Sequence, residues 1–367
     1  MSDILLKTMC HPTNLRAAWR QVRRKHSVPG LDGVSGEEFG RAAERHLKQL
    51  RRELLAGGYR PLPLRGTFVL KRGGGWRFVG IPTVRDRIAQ RALLNVLTPI
   101  LEPEFEPCSY AYREGRSIYQ ALSQVQAWHQ AGLHWLVDAD IDECFDSINR
   151  DLLFACLRQY ITEQPILDLI RAWVEAGTVY RGEWLLSPRG IPQGDVISPT
   201  LCNVLLDEFD EALLKKRRRL VRYADDFLIL ASTRQRAEKF LEEARTTLEA
   251  LDLRLDPQKT RIVSFEQGFK YLGTIFVHDL VLPTVPMERE TPHGERQVIY
   301  VPGYPQPPRR PQAKLEPPDP LEQAVNRIAA AQATGRRVTT VAAALQRAFR
   351  QREEKRQKES DRPRRKI

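Results

Sequence analysis

Four residues, Tyr223-Ala224-Asp225-Asp226, stand between the apolar runs LVR and FLIL. Two adjacent carboxylates between short strands form the tip of a hairpin. Charges of one sign so close together are costly to bury unless a cation neutralises them. The plain alternative is an ordinary turn, in which Asp is common. A second acidic stretch, DADIDECFD, holds Asp138, Asp140, Asp142 and Asp146. Alternation along a strand puts Asp138, Asp140 and Asp142 on one face if the strand continues through all three. Asp146 also reads as a helix N-cap or first-turn acid before INRDLL. A strand end offering Asp140 beside a hairpin offering Asp225 and Asp226 makes a site of hard oxygen donors. Such a site suits two Mg²⁺ ions, with Mn²⁺ as a substitute, about 4 Å apart on the attacking and leaving oxygens of a phosphoryl transfer.

The elements that position these acids follow from periodicity. HWLVDADI is short, apolar and ends in acids, as a buried strand does. LVRYADDFLILA reads as two strands joined at its acids. Ile88, Ala92, Val96 and Ile100 share a helical face, and Pro99 and Pro103 are expected to close that helix. DLLFACLRQYI and PILDLIRAWVEAG read as helices, the second stopped by Gly177. TLCNVLLDEFDEALL repeats Leu201, Leu205, Phe209 and Leu213 at helical spacing. RAEKFLEEARTTLEALDL is an amphipathic helix, and KTRIVSF and FKYLGTIFV close the region as strands. Helices alternate with strands widely separated in sequence, which favours an α+β arrangement over a doubly wound sheet.

Composition changes after residue 277. Eleven of the 25 prolines fall within 281–320. Regular structure is not expected there, and 278–320 reads as a linker or extended strap. Two helices are expected over 321–352, then a basic tail over 353–367. Lys and Arg exceed Asp and Glu by 58 to 46, a net charge of +12, which points to a polyanionic partner. The five cysteines form no C-x-x-C pair, against a disulfide framework or a structural zinc site. No apolar run reaches the roughly 18 residues of a membrane helix, and no secretory signal opens the chain, so a cytoplasmic protein without a membrane partner is expected. No G-x-x-x-x-G-K-[ST] loop is present.

The blocks LVDADIDECFDSI, SPRGIPQGDVISPTLCNVLLDEFD, RYADDFLIL, LDPQKTRI and FKYLGTIF follow the order and spacing of the palm motifs of reverse transcriptases. They most resemble the bacterial group II intron type. VPGLDGVSGEEF, KRGGGWRFVGIPTVRDRIAQRAL and PCSYAYREGRSIYQAL resemble that family's N-terminal and fingers blocks. The resemblance spans about residues 25–277 and implies a right-hand polymerase. Fingers and palm would occupy 1–277, with helical fingers, an antiparallel-sheet palm and a short, atypical helical thumb or C-terminal region. Asp140 directly precedes the Ile and lies five before Phe145, so it, rather than Asp138, takes the place of the family's first metal-binding aspartate. Ile141 would lend its carbonyl to a metal, and Asp225 and Asp226 match the YxDD pair. Phe145 matches the ring that excludes a 2′-hydroxyl, and Gln193-Gly194 the loop beside the incoming nucleotide. Lys71 and Arg77 match fingers residues that close on the triphosphate, and Lys259 the lysine that protonates leaving pyrophosphate. Arg113 and Arg116 resemble fingers positions that touch template backbone.

The implied function is RNA-directed DNA polymerisation, with an RNA template, a DNA or RNA primer and dNTPs. The region after FKYLGTIF departs from the intron-type thumb through its prolines, and no ribonuclease H or His-Asn-His nuclease pattern follows. These departures favour a stand-alone setting, with CRISPR-adaptation or phage-defence proteins as partners, over an intron-encoded maturase. Phe145 speaks against an RNA-dependent RNA polymerase, and intact Asp140, Asp225 and Asp226 against a non-catalytic nucleic-acid-binding scaffold.

Overall fold

The computed structural model describes residues 3–302 apart from 26–27, 71–75, 188 and 291–295. The helices expected over 321–352 and the basic tail lie outside the described residues. Helices open the chain: α1 (Ile4–Met9), α2 (Pro12–Arg23), α3 (Gly36–Arg41) and α4 (Ala43–Leu55). Strands β1 (Leu64–Leu70) and β2 (Trp76–Ile81) follow, then α5 (Val84–Leu101) and α6 (Ile118–Gln130). β3 (Trp135–Asp140) leads through the short α7 (Cys144–Ser147) to α8 (Arg150–Tyr160) and α9 (Gln164–Val174). Next come β4 (Thr178–Tyr180), β5 (Glu183–Leu185), α10 (Ser198–Lys215), β6 (Arg219–Tyr223), β7 (Asp226–Ala231) and α11 (Arg234–Ala250). Strands β8 (Arg261–Ser264), β9 (Phe269–Tyr271), β10 (Thr274–Val277), β11 (Leu280–Glu290) and β12 (Arg296–Pro302) complete the described chain. No described helix is long and apolar enough to cross a membrane.

The site rests on the antiparallel sheet β6-β7-β3-β8. Its strands alternate cleanly. Val137, Ala139, Leu220, Phe227 and Ile229 join the large core shared with α5, α8, α10 and α11. Leu136, Val221, Leu228 and Leu230 join a second core with Ala121 and Val125 of α6 and with Phe265, Tyr271 and Phe276. Burial on both faces fixes register, because a slip of one residue would send every side chain to the wrong core. A second sheet, β2-β1-β4-β5, pairs β1 with β4 in parallel and stands beside the acids. The architecture is the α+β right hand, with an antiparallel palm sheet.

Several local expectations are corrected. Pro99 does not end α5, which runs on to Leu101. β3 stops at Asp140, so Asp142 leaves the strand face and Glu143 takes a left-handed φ of 40°. Asp146 is a first-turn acid, but of α7; the N-cap of α8 is Asn149, whose side chain accepts from the Asp151 and Leu152 amides. FKYLGTIFV is two strands, not one. Leu272 and Gly273 both have positive φ, 47° and 75°, as a tight two-residue hairpin turn requires. The segment expected to be irregular from 281 instead carries β11 and β12, paired from Thr284↔Pro302 to Glu290↔Arg296. Proline content lowered the strand expectation, but Pro283 pairs only with β10 and Pro286 only with β12, so each has one open side where no N–H is needed.

Candidate active site

Antiparallel register sets Asp140 directly opposite Asp226. Paired residues of facing strands share a sheet face, so these two carboxylates are neighbours, with Asp138 two residues back on the same face. Asp225 lies in the turn just before Asp226, and its carbonyl accepts the Ile141 amide at 3.1 Å. The charges crowd one another. Burial, then the charges of Asp138, Asp140 and Asp225, push Asp226 up to about 8. Burial likewise raises Asp140, with Asp225 and Asp256 adding to it, and Lys259 only partly offsets the rise. Asp138 is committed elsewhere: Arg261 grips its Oδ2 through Nε at 2.9 Å and Nη2 at 2.8 Å. Its burial and that grip explain why Asp140 is the acid of this strand that reaches the open cavity.

That cavity, about 720 Å³, lies between the two sheets. Asp140, Ile141, Asp225, Phe145, Gln193, Arg77 and Lys259 all line it. Asp226 is partly exposed and lies opposite Asp140, beside the cavity. Lys259 Nζ bonds Asp140 Oδ2 and meets Asp256 Oδ2 at 3.1 Å. Among the described residues, no three His, Cys, Asp or Glu side chains are disposed around one ion. The donor chemistry fits a hard cation all the same: the carboxylate residues Asp140 and Asp225 and the backbone of Ile141 line one cavity, and the Lys259 ammonium already sits on Asp140 as a stand-in positive charge.

The residues expected beside a nucleotide are held by backbone. The Ile191 amide donates to Phe145 O at 2.7 Å and Gly190 N to Ile148 O at 2.8 Å, so the 189–194 loop runs along α7. Gln193 Nε2 donates to Asp146 Oδ2 at 3.0 Å. Gly80 N donates to Gln193 O at 2.7 Å, tying the loop to β2. Gly194 has φ 115°, and a Cβ there would collide with the Gly80 carbonyl oxygen. Its glycine is therefore needed for contact with β2.

Two expected residues play other parts. The Arg113 side chain is 7% exposed. Its guanidinium pairs with Glu102 Oε1 at 2.7 Å and donates to the carbonyls of Glu102, Phe105, Glu106 and Ser109. It folds the turn before α6 and is not presented to a template. Arg116 lies 4.5 Å over the Tyr110 ring and bonds the Pro107 carbonyl, again within that turn. Sequence shows that a basic residue is present, not where its charge is spent. Lys71 lies outside the described residues.

Other residues that build the site were missed. Gln90 of α5 donates to Asp195 Oδ1 at 2.9 Å and accepts the amides of Val196 and Ile197, so it clamps the loop after Gly194 from a helix over a hundred residues away. Asp256 accepts from the amides of Gln258 and Lys259 and faces the Lys259 ammonium. The Asp-Pro start of LDPQKTRI was its one available signal, since Asp favours such local turns.

Residues 69–276 match the reverse transcriptase (RNA-dependent DNA polymerase) family. Protein YkfC of Escherichia coli (strain K12) is 33% identical, covering 80% of this chain and 86% of that protein. The group II intron-encoded protein LtrA of Lactococcus lactis subsp. cremoris is 32% identical over 52% of this chain and 32% of its own length. Among solved structures, telomerase from Candida albicans in complex with a telomeric RNA fragment aligns with 15% identity and TM-score 0.47 over 61% of this chain and 47% of that one. A Cas6-RT-Cas1–Cas2 complex aligns with 25% identity and TM-score 0.41, over 67% of this chain and 42% of that one. The chain belongs to the reverse transcriptase family, the RNA-directed DNA polymerases, and is of the group II intron-like type. It spans about a third of LtrA.

Proposed function

We propose that this chain extends a DNA or RNA primer on an RNA template, adding dNTPs to the 3′-hydroxyl with two Mg²⁺ ions held by Asp140, Asp225, Asp226 and the Ile141 carbonyl. The observation that carries the reading is the single cavity onto which Asp140, Ile141, Asp225, Phe145, Gln193 and Arg77 all open. Bound divalent ions, Mg²⁺ or Mn²⁺, make the primer hydroxyl a better nucleophile and stabilise the departing pyrophosphate. The protein's own groups do the rest. The Arg77 guanidinium binds the triphosphate through its planar fork. The Phe145 ring fills the space a 2′-hydroxyl would need. Lys259 holds a proton at Nζ for the leaving pyrophosphate, while Asp256 keeps that ammonium at the cavity wall when Asp140 serves as a ligand.

Extension of a labelled primer on poly(rA) with dTTP and Mg²⁺ tests this. Asp225→Asn is expected to lower the rate by about a thousandfold while leaving duplex binding within about threefold. A wild type inactive with both Mg²⁺ and Mn²⁺ overturns the reading in favour of a binding scaffold. Similarity to an intron-encoded protein favours a second reading, a role in an intron's life cycle. Sequencing the RNA that co-purifies with the chain separates it from a CRISPR or phage-defence setting.

A further inference from the structure

Arg222, three residues before Asp225, is fully buried with Asp210. Its Nε and Nη2 grip the two Asp210 oxygens at 2.7 and 2.5 Å. The remaining nitrogen, Nη1, donates to the Ala224 carbonyl at 3.1 Å and to Asn203 Oδ1 at 3.0 Å. Ala224 holds a left-handed φ of 63°. That conformation costs an alanine about 1 kcal/mol and persists only where neighbours hold it. Asn203 Nδ2 in turn donates to Ala111 O at 2.9 Å. The next residue, Tyr112, also has a left-handed φ, 61°, and its exposed ring lines the same cavity as Asp140 and Asp225. Backbone closes the loop: Arg222 N donates to Cys108 O at 2.8 Å, and Tyr110 N to Arg222 O at 2.9 Å.

One guanidinium thus touches both the acidic turn and, through Asn203, the segment carrying the Tyr112 wall. A buried ion pair is weak evidence for stability, and its better-attested use is to fix one arrangement. We propose that Arg222 is a positioning residue that sets the spacing between the acidic turn and the Tyr112 wall of the nucleotide cavity, with Asp210 orienting its fork and Asn203 relaying it. The proposal rests on the polymerase reading above and adds to it a residue that never meets substrate.

Lysine keeps the charge but is a point donor on a flexible stem, and cannot reach Asp210, Asn203 and Ala224 at once. In Arg222→Lys, kcat for dTTP on poly(rA)–oligo(dT) should fall about tenfold, with duplex affinity kept within about twofold. Asn203→Ala cuts the relay to Ala111 and should raise the KM for dTTP about fivefold while kcat stays within about twofold. In a Tyr112→Ala background the same Asn203 change should move KM by less than about twofold, because the wall it positions is gone. Multiplicative effects in that cycle, or an unchanged kcat in a folded Arg222→Lys protein, overturn the proposal. If Arg222→Lys loses its cooperative melt, the Asn203–Tyr112 cycle alone decides. An inactive wild type would sink the polymerase reading instead, so the two failures are distinguishable.

Discussion

Asp195 carries a carboxyl where no counter-charge reaches it. It is 4% exposed, its Oδ1 accepts only from Gln90, and its Oδ2 has no partner. Burial first, with Asp86 adding to it and Gln90 partly offsetting, pushes it from 3.8 up to about 7. Between those values the folded chain keeps a proton that the unfolded chain has released. The stability this group contributes is therefore complete below about pH 4 and is lost as pH rises towards 7. Asp195→Asn keeps the Gln90 acceptor and removes the ionisation. Its melting temperature should gain on the wild type by about 5 °C between pH 5 and pH 8. Parallel curves from thermal melts at the two pH values would contradict this. At this scale the sequence was readable where spacing fixes placement, as where Asp140 comes to lie opposite Asp226 with Asp225 in the turn beside them. It was unreadable where a distant partner decides a side chain's state. Nothing near Asp195 announces Gln90, and nothing in YREGRS tells that four carbonyls consume the Arg113 guanidinium.

Elements were legible where one pattern dominates. β3, β7, α10 and α11 follow from their periodicity, since each has two-sided or one-sided burial written along it. The expectation failed where backbone geometry outweighs propensity. The Leu272–Gly273 turn hid inside an apolar run, and β11 accepts its prolines because β10 pairs only with 280–283 and β12 only with 284–290, so neither Pro283 nor Pro286 lies between two partner strands. The loop over 189–194 is the element proposed to lie beside the nucleotide, and its contact with β2 leaves no room for a side chain at Gly194. Gly194→Ala must push the loop away from Gly80 and break the bond from Gly80 N to Gln193 O. The KM for dNTP should rise about tenfold, while Gly33→Ala, where a Cβ meets open space but φ is also positive, should leave KM unchanged within about twofold. Steady-state extension kinetics on the two variants check this, and equal KM values would show that the loop's approach to β2 does not govern nucleotide binding.

Across the whole molecule, α5 carries contacts in both directions. Its Ala92 carbonyl accepts from Asn14 of α2 at 2.8 Å, while Gln90 reaches the loop at Asp195. The N-terminal helices are joined to the rest of the chain through α5 and also through Glu163, whose carboxylate accepts the Leu5 and Leu6 amides of α1. Every cysteine in the chain is buried in this body: Cys10, Cys108, Cys144, Cys156 and Cys202. Burial raises Cys10 to about 12 and Cys156 to about 11, far from the reactive thiolate. The native enzyme is accordingly expected to take up little maleimide dye, which intact-mass spectrometry would check. A single thiol placed at the exposed Tyr119 of α6 would take up label alone, and a fluorophore there, on a helix packed against the palm sheet, would report the distance to a labelled primer.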